Sequence, residues 1–203
     1  IEFGLDGSGV SLPLAAAGNA SLEAALTRLL PIGTGDLPVN RLALPFRSVA
    51  SDLLNGEAVE LNDTPLFMSI RASLAVPGVF APIRLNGRLV VDGGLVRNLP
   101  VDIAKAMGAD VVIAANVGTA LAGEAELVSA LGVARQMMLI LTEQNVRRSL
   151  KELGPRDVLI APELAGSSFL DFSRGERAME VGEQAARKMA PSLHALAVSA
   201  EAY

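Results

Sequence analysis

The sequence has no cysteine and no tryptophan, a single tyrosine (Tyr203) and a single histidine (His194). Without cysteine there are no disulfides and no thiolate metal sites, and the compartment stays open because cytosolic and exported proteins alike can lack the residue. Aromatics make up only 3% of the chain, so no stacking platform for bases is on offer. Basic charge is also short. The 17 Lys and Arg stand against 22 Asp and Glu, for a net charge of −5. They are scattered instead of striped, so there is no electrostatic footprint for nucleic acid, which is not an expected partner. No apolar run approaches the ~20 residues of a membrane-spanning helix, and no basic stretch followed by an apolar one opens the chain. Neither G-x-G-x-x-G nor a P-loop occurs, which weakens a nucleotide-binding reading.

What the chain does have is apolar content, 51% of 203 residues with a mean hydropathy of +0.42. That length allows a single domain over residues 1–203 with a sizeable core, and the apolar excess fits a buried parallel sheet. The stretch from Gly87 to Ala115 organises it. Leu89 to Val91 is strand-like, Pro100 suits the first turn of a helix, Gly108 is a natural helix stop, and Val111 to Ala115 is apolar throughout. Read together, these segments form a βαβ unit with parallel strands. Ligands of open parallel sheets gather beyond the carboxyl ends of the strands, and Asp92 sits where the first strand runs out. On spacing alone, Asp92-Gly93-Gly94 is also ordinary turn chemistry.

The rest of the chain reads as follows. Residues 1–18 alternate glycine with apolar residues and read as an irregular strand or hairpin and loop, with Asp6-Gly7-Ser8-Gly9 as a hairpin turn. Ser21 to Leu30 is a short amphipathic helix stopped by Pro31, with Leu22, Leu26, Leu29 and Leu30 on one face. Leu42 to Asp52 is a buried strand that hairpins through Asn55-Gly56 onto Glu57 to Leu61. Thr64 as N-cap and Pro65 at the first position open a helix that Pro77 ends. Ile83 to Leu85 turns through Asn86-Gly87 into the Asp92 strand. A long helix is expected over Glu124 to Leu153, with Leu127, Leu131, Ala134, Met138 and Leu141 as its apolar seam. Its last third, with Gln144, Asn145, Arg147 and Arg148, reads as a solvated end or a partner surface. Val158 to Ala161 is a strand. Phe169, Leu170 and Phe172 fall in a loop, as core or as a lipid-facing patch. A final helix spans Glu176 to Val198, with Met179, Gly182, Ala186, Met189, Leu193 and Leu196 facing inward and His194 near its end.

Asp92-Gly93-Gly94, followed by Asn98-Leu-Pro-Val and Gly108-Ala-Asp-Val-Val-Ile, resembles the D-G-[GA] block of the patatin-like phospholipases. Arg71-Ala-Ser-Leu-Ala-Val-Pro-Gly-Val-Phe80 resembles a second block of that family. The similarity runs from about Leu42 to Val117, and continues more loosely through Leu141 to Val146 and Asp157 to Leu164, which resemble a bacterial branch whose members are sometimes fused to an outer-membrane barrel. The resemblance implies an α/β fold, a mainly parallel sheet flanked by helices, and a Ser-Asp dyad without histidine, metal or cofactor. The serine of a G-x-S-x-G elbow would attack an ester carbonyl of a phospholipid or related acyl ester, and Asp92 would take its proton, since a free hydroxyl is too weak an acid to act unaided. Gly93 and Gly94 complete the motif, and contact with a membrane surface fits such a substrate.

The chain departs from the family in one respect. Neither the elbow nor the glycine-rich oxyanion loop occurs in it. Gly9-Val-Ser11-Leu-Pro13 lacks the second glycine and has proline where the elbow must enter a helix. Ser73, the serine nearest Asp92 in sequence, lies on a helix without an elbow, and Arg71 and Ser73 read as packing elements. Arg97 and Asn98 could orient the Asp92 carboxylate or cap the next helix, a cap being the better role for Asn98. The expectation is therefore the C-terminal portion of a catalytic domain, with N-terminal strands and nucleophile upstream. Alone it would be inactive and would need the upstream segment or a second copy to cover its open edge. The alternative is a binding module that keeps the scaffold and has lost the nucleophile.

Overall fold

A computed structural model describes residues 4–6, 9–11, 19–164 and 174–198, the first two stretches and residue 19 through their backbone alone. Phe169, Leu170, Phe172, Tyr203 and the side chain of Ser11 lie outside what is described. The chain divides into two compact units, residues 1–97 and 98–203.

In the first unit two asparagine-glycine turns do much of the work. Asn86 (φ 49°) and Gly87 (φ 79°) take the left-handed backbone that a tight hairpin needs, and they join β5 (Ile83–Leu85) to β6 (Arg88–Asp92). Gly56 (φ 73°) closes the longer turn between β3 (Ser48–Asp52) and β4 (Ala58–Leu61). The two hairpins meet through β3 and β6, giving a four-stranded sheet in the order β4-β3-β6-β5 with every neighbour antiparallel. β1 (Gly4–Asp6) and β2 (Gly9–Ser11) form a separate antiparallel pair. Helix α1 (Asn19–Leu29) buries Leu26 and leaves Leu29 exposed. Helix α2 (Leu66–Ser73) packs on β3 and β6. Its N-cap is Pro65, and the Thr64 hydroxyl forms no cap, because proline here precedes the first helical residue instead of occupying it. The core of the unit is Ala50, Leu61, Ala72 and Val90. Beside it Arg71, 2% exposed, is held between the Glu23 carboxylate of α1 at 3.5 Å and the Phe80 ring, 5.8 Å from its centroid.

The sheet is thus mainly antiparallel, not mainly parallel. The expected βαβ unit led to the parallel reading, yet β6 bonds to β3 and β5, while β7 (Ile113–Ala115) bonds in parallel to β8 (Val158–Ile160) in a sheet of its own. A crossover helix fixes the handedness and length of a connection, not which strand is the hydrogen-bonded neighbour.

In the second unit α4 (Val101–Ala106) starts at Pro100 and ends toward Gly108 (φ 95°), as expected of a C-terminal glycine. The expected long helix is a 3₁₀ turn (Glu124–Glu126) followed by α5 (Ala130–Leu150), whose N-cap Ser129 accepts from Gly132 N. Its buried face is not the expected seam. Leu131 is 79% exposed, whereas Leu139, Asn145, Val146 and Ser149 are buried. The core joins Val146 to Leu99, Val101, Val112 and Ala114, so α5 buries the half that was read as solvated. The final helix is two, α6 (Gly175–Lys188) and α7 (Ala190–His194), divided at Met189 before Pro191. Met179, expected inside, is 68% exposed. No helix among the described residues is long and apolar enough to cross a membrane.

Candidate active site

Asp92 is the last residue of β6 and lies opposite Ala50 of β3. Its main-chain groups bond outside the ladder: its N–H donates to Ala75 O just past α2 (3.0 Å), and its carbonyl accepts the Ser51 hydroxyl (2.8 Å). The half-buried carboxylate accepts from Gly94 N through Oδ1 at 2.6 Å. That bond folds the chain back over the strand end and leads into the single-turn helix α3 (Gly94–Arg97), the Asx geometry that an aspartate ahead of two glycines favours.

Gly93 between them is fixed by sterics. A Cβ added there would collide with the Val49 carbonyl and lie 3.0 Å from the Val49 Cβ, so β3 runs directly under the peptide. The small, wholly buried β3 sequence Ser-Val-Ala-Ser-Asp is what lets the D-G-G segment approach so closely.

Burial pushes the Asp92 carboxyl above its ordinary value, and the Gly94 N–H opposes this by favouring the anion. A half-buried carboxyl with a raised pKa can act as a general base toward a proton donor within hydrogen-bond reach.

The other sequence candidates sit on other elements or between them. Ser73 is the last residue of α2. Arg97 donates to Val96 O at 3.4 Å. Asn98 does not cap α4, where Pro100 holds that position; its backbone N–H is instead bonded to Asn145 Oδ1 at 2.9 Å. His194 is exposed at the end of α7. Two side chains that bond main-chain groups of this stretch, Ser51 and Asn145, are not among the sequence candidates. Ser51 lay in a segment read simply as buried strand, and Asn145 was assigned to a polar surface, although a polar residue in a helix that must cover a parallel strand is a signal of buried bonding. No cluster of three His, Asp or Glu placed to hold a metal occurs among the described residues.

Comparison with known proteins shows what these features are similar to. An NTE family protein of Mycobacterium tuberculosis is 38% identical over 112 residues, covering 55% of this chain and 31% of the relative. Patatin-like phospholipase domain-containing protein 7 of Rattus norvegicus is 36% identical over 86 residues, and protein 6 of the same series from Homo sapiens 37% over 86, each covering 41% of this chain and 6% of the relative. The chain thus spans about a third of the mycobacterial relative's length and a small fraction of the mammalian ones. The family model described as patatin-like phospholipase matches residues 9–105, a span that takes in Ser51, Arg71 and the Asp92-Gly93-Gly94 turn, and over that span the chain is similar to the patatin-like phospholipases.

Proposed function

We propose that this chain carries the aspartate half of a serine acyl hydrolase acting on phospholipids or related acyl esters. Asp92 is the general base of a Ser-Asp dyad, Gly93 and Gly94 form the turn that presents it, and the nucleophilic serine and oxyanion donors come from polypeptide outside these residues. The serine attacks the ester carbonyl, its proton passes to Asp92, and the same proton is returned to the leaving alcohol as the acyl-enzyme forms. The observation that carries the reading is the Asp92 carboxylate itself: half-buried, raised in pKa, and oriented by Gly94 N at 2.6 Å inside the family-matching span. Peripheral contact with a lipid surface, and completion of the site by an upstream segment or a second copy, belong to the same proposal.

The test is Asp92→Asn in the full-length protein, assayed on a short-chain p-nitrophenyl ester. Hydrolysis should fall by about 10² to 10⁴, the usual worth of general-base catalysis. Melting temperature should hold or rise, because the amide keeps an acceptor for Gly94 N without burying a charge. Full activity in Asp92→Asn would refute the dyad. One observation favours a second reading, a binding module that has lost its nucleophile: no G-x-S-x-G occurs in these 203 residues. An intact protein with no such motif, and inert toward esters before any substitution, would establish it.

A further inference from the structure

Among the buried hydroxyls of the sheet, Ser51 stands out by its partner. It is 2% exposed on β3, yet its hydroxyl leaves its own strand pairing and donates to the Asp92 carbonyl at 2.8 Å. Ser51 faces Val91 in the ladder, so the bond reaches one residue along, to the peptide that joins Asp92 to Gly93. That peptide is restrained on both sides: its carbonyl by Ser51 and Gly93 by the Val49 main chain beneath it, while the preceding peptide is fixed through Asp92 N to Ala75 O. Its plane sets the start of the Gly93-Gly94 segment, whose N–H at Gly94 holds the carboxylate. A peptide between Asp and Gly, followed by a second Gly, has little intrinsic stiffness. An external bond is what keeps it in one orientation.

We propose that Ser51 is a positioning residue for the Asp92 carboxylate, acting through the Asp92–Gly93 peptide and the Gly94 N–H. The inference rests on the Ser-Asp reading above for its catalytic consequence, but the positioning is a property of the folded site. Without the hydroxyl the Asp92 carbonyl loses its donor, the peptide gains freedom to rotate, and the Gly94 N–H···Oδ1 bond is populated less. The carboxylate then drifts from its aim and is less favoured as the anion. The charged groups on the elements packed on β6 are Asp52 on β3, Arg84 on β5 and Arg71 on α2, with Arg88 on β6 itself and Arg97 on α3, which follows Asp92 and packs on β3. Asp52 is paired with Arg88 at 3.3 Å and Arg71 with Glu23 at 3.5 Å. The causes of the Asp92 shift are burial first and the Gly94 bond second, so a change in that bond is read directly in the titration.

The experiment compares Ser51→Ala, Ser51→Thr and Ser48→Ala in the full-length protein. Ser48 is the matched control: it is buried on the same strand, and its hydroxyl donates to Ser69 O at 3.2 Å, away from Asp92. Three quantities are measured: ester hydrolysis against pH, the titration of the Asp92 carboxyl by carbon-13 NMR, and thermal melting. For Ser51→Ala, kcat/KM should fall on the order of tenfold, as expected for a misaimed base. Its acid limb and the Asp92 titration should both move to higher pH. Ser51→Thr keeps a donor and should restore both, and Ser48→Ala should move neither, whatever it does to melting. An Asp92 titration that stays in place in Ser51→Ala overturns the proposal, as does a shift of equal size in Ser48→Ala. If Ser51→Ala fails to fold, Ser51→Thr against the unsubstituted protein decides, since a threonine that shifts the titration as far as loss of the Gly94 bond would allow also overturns it. Failure of the dyad shows separately, as an active Asp92→Asn protein, and leaves the titration arm of the test standing.

Discussion

The two units register their strands by different means. In the first, each hairpin fixes its own pairing, because an asparagine-glycine turn of given length allows one alignment. The backbone supplies nearly everything, and small side chains merely let strands and turns approach. In the second, β7 and β8 run parallel with all of α5 between them, and no turn can align them. Their register depends on a side chain. Asp157, one residue before β8, accepts from Val112 N, one residue before β7 (2.8 Å), and from Gly154 N (2.7 Å), and pairs with Lys105 Nζ of α4 at 3.0 Å. Lys105 also donates to the Glu152 carbonyl. Antiparallel pairing here is a matter of sterics and turn geometry, and parallel pairing is a matter of placed charge, so the two should fail under different stresses.

The largest effect is expected where the first unit is tightest. Gly93→Ala must push the Val49 main chain aside, a destabilisation of about 3 kcal/mol, at the upper end of overpacking costs. Urea denaturation should show it, with amide exchange accelerating across β3 and β6. A normal midpoint would mean that the segment can relax away from β3.

The next prediction separates the units by pH. Both backbone donors and Lys105 favour the Asp157 anion, and its carboxyl is held down to about 2 from an ordinary value of 3.8. A carboxyl depressed on folding adds stability that is fully present above the unfolded pKa and is lost as pH falls through the folded one. Exchange protection of β7 and β8 amides should therefore weaken as pH drops from about 4 toward about 2. Asp157→Asn should be weakened already at neutral pH and should lack that acid-dependent loss. If the acid sensitivity persists in Asp157→Asn, another carboxylate holds the register.

Asn145→Ala should have the smallest effect. It removes the acceptor of Asn98 N and the bond from Nδ2 to Leu141 O (3.2 Å), at a cost of about 1 kcal/mol for the lost hydrogen bonds. Exchange at Asn98 should quicken while the first unit's protection stays unchanged. Equal loosening of both units would break the distinction drawn between them.

The same distinction explains what could be read from the sequence. Asn55-Gly56, Asn86-Gly87 and Gly108 announced their turns and helix end because each needs positive φ, a demand written into single residues. β8 was legible as an apolar run between breakers. Sheet neighbours were not, since the apolar character of β6 is compatible with either direction of pairing. Nor was the face of α5, because a helix with leucines on several sides is oriented by what it covers, and here it turns Asn145 and Ser149 inward and Leu131 outward. Asp92 could be picked out through its glycines. Its second support, Ser51, could not, since a serine in a strand looks the same whether its hydroxyl satisfies a neighbour or aims a carboxylate.

Arg71 and Glu23 carry a consequence for how such a sequence can change. The Arg71 guanidinium is 2% exposed and lies 3.5 Å from the half-exposed Glu23 carboxylate, so a substitution at residue 23 takes the paired anion from a buried cation, and one at residue 71 leaves a cavity beside that carboxylate. Each single step is uphill, and a paired replacement by apolar residues of similar bulk is close to level. Across related sequences the two positions should therefore drift as a couple, their identities correlated although one lies on α1 and the other on α2, and the correlation would identify the α1–α2 contact to someone holding only an alignment.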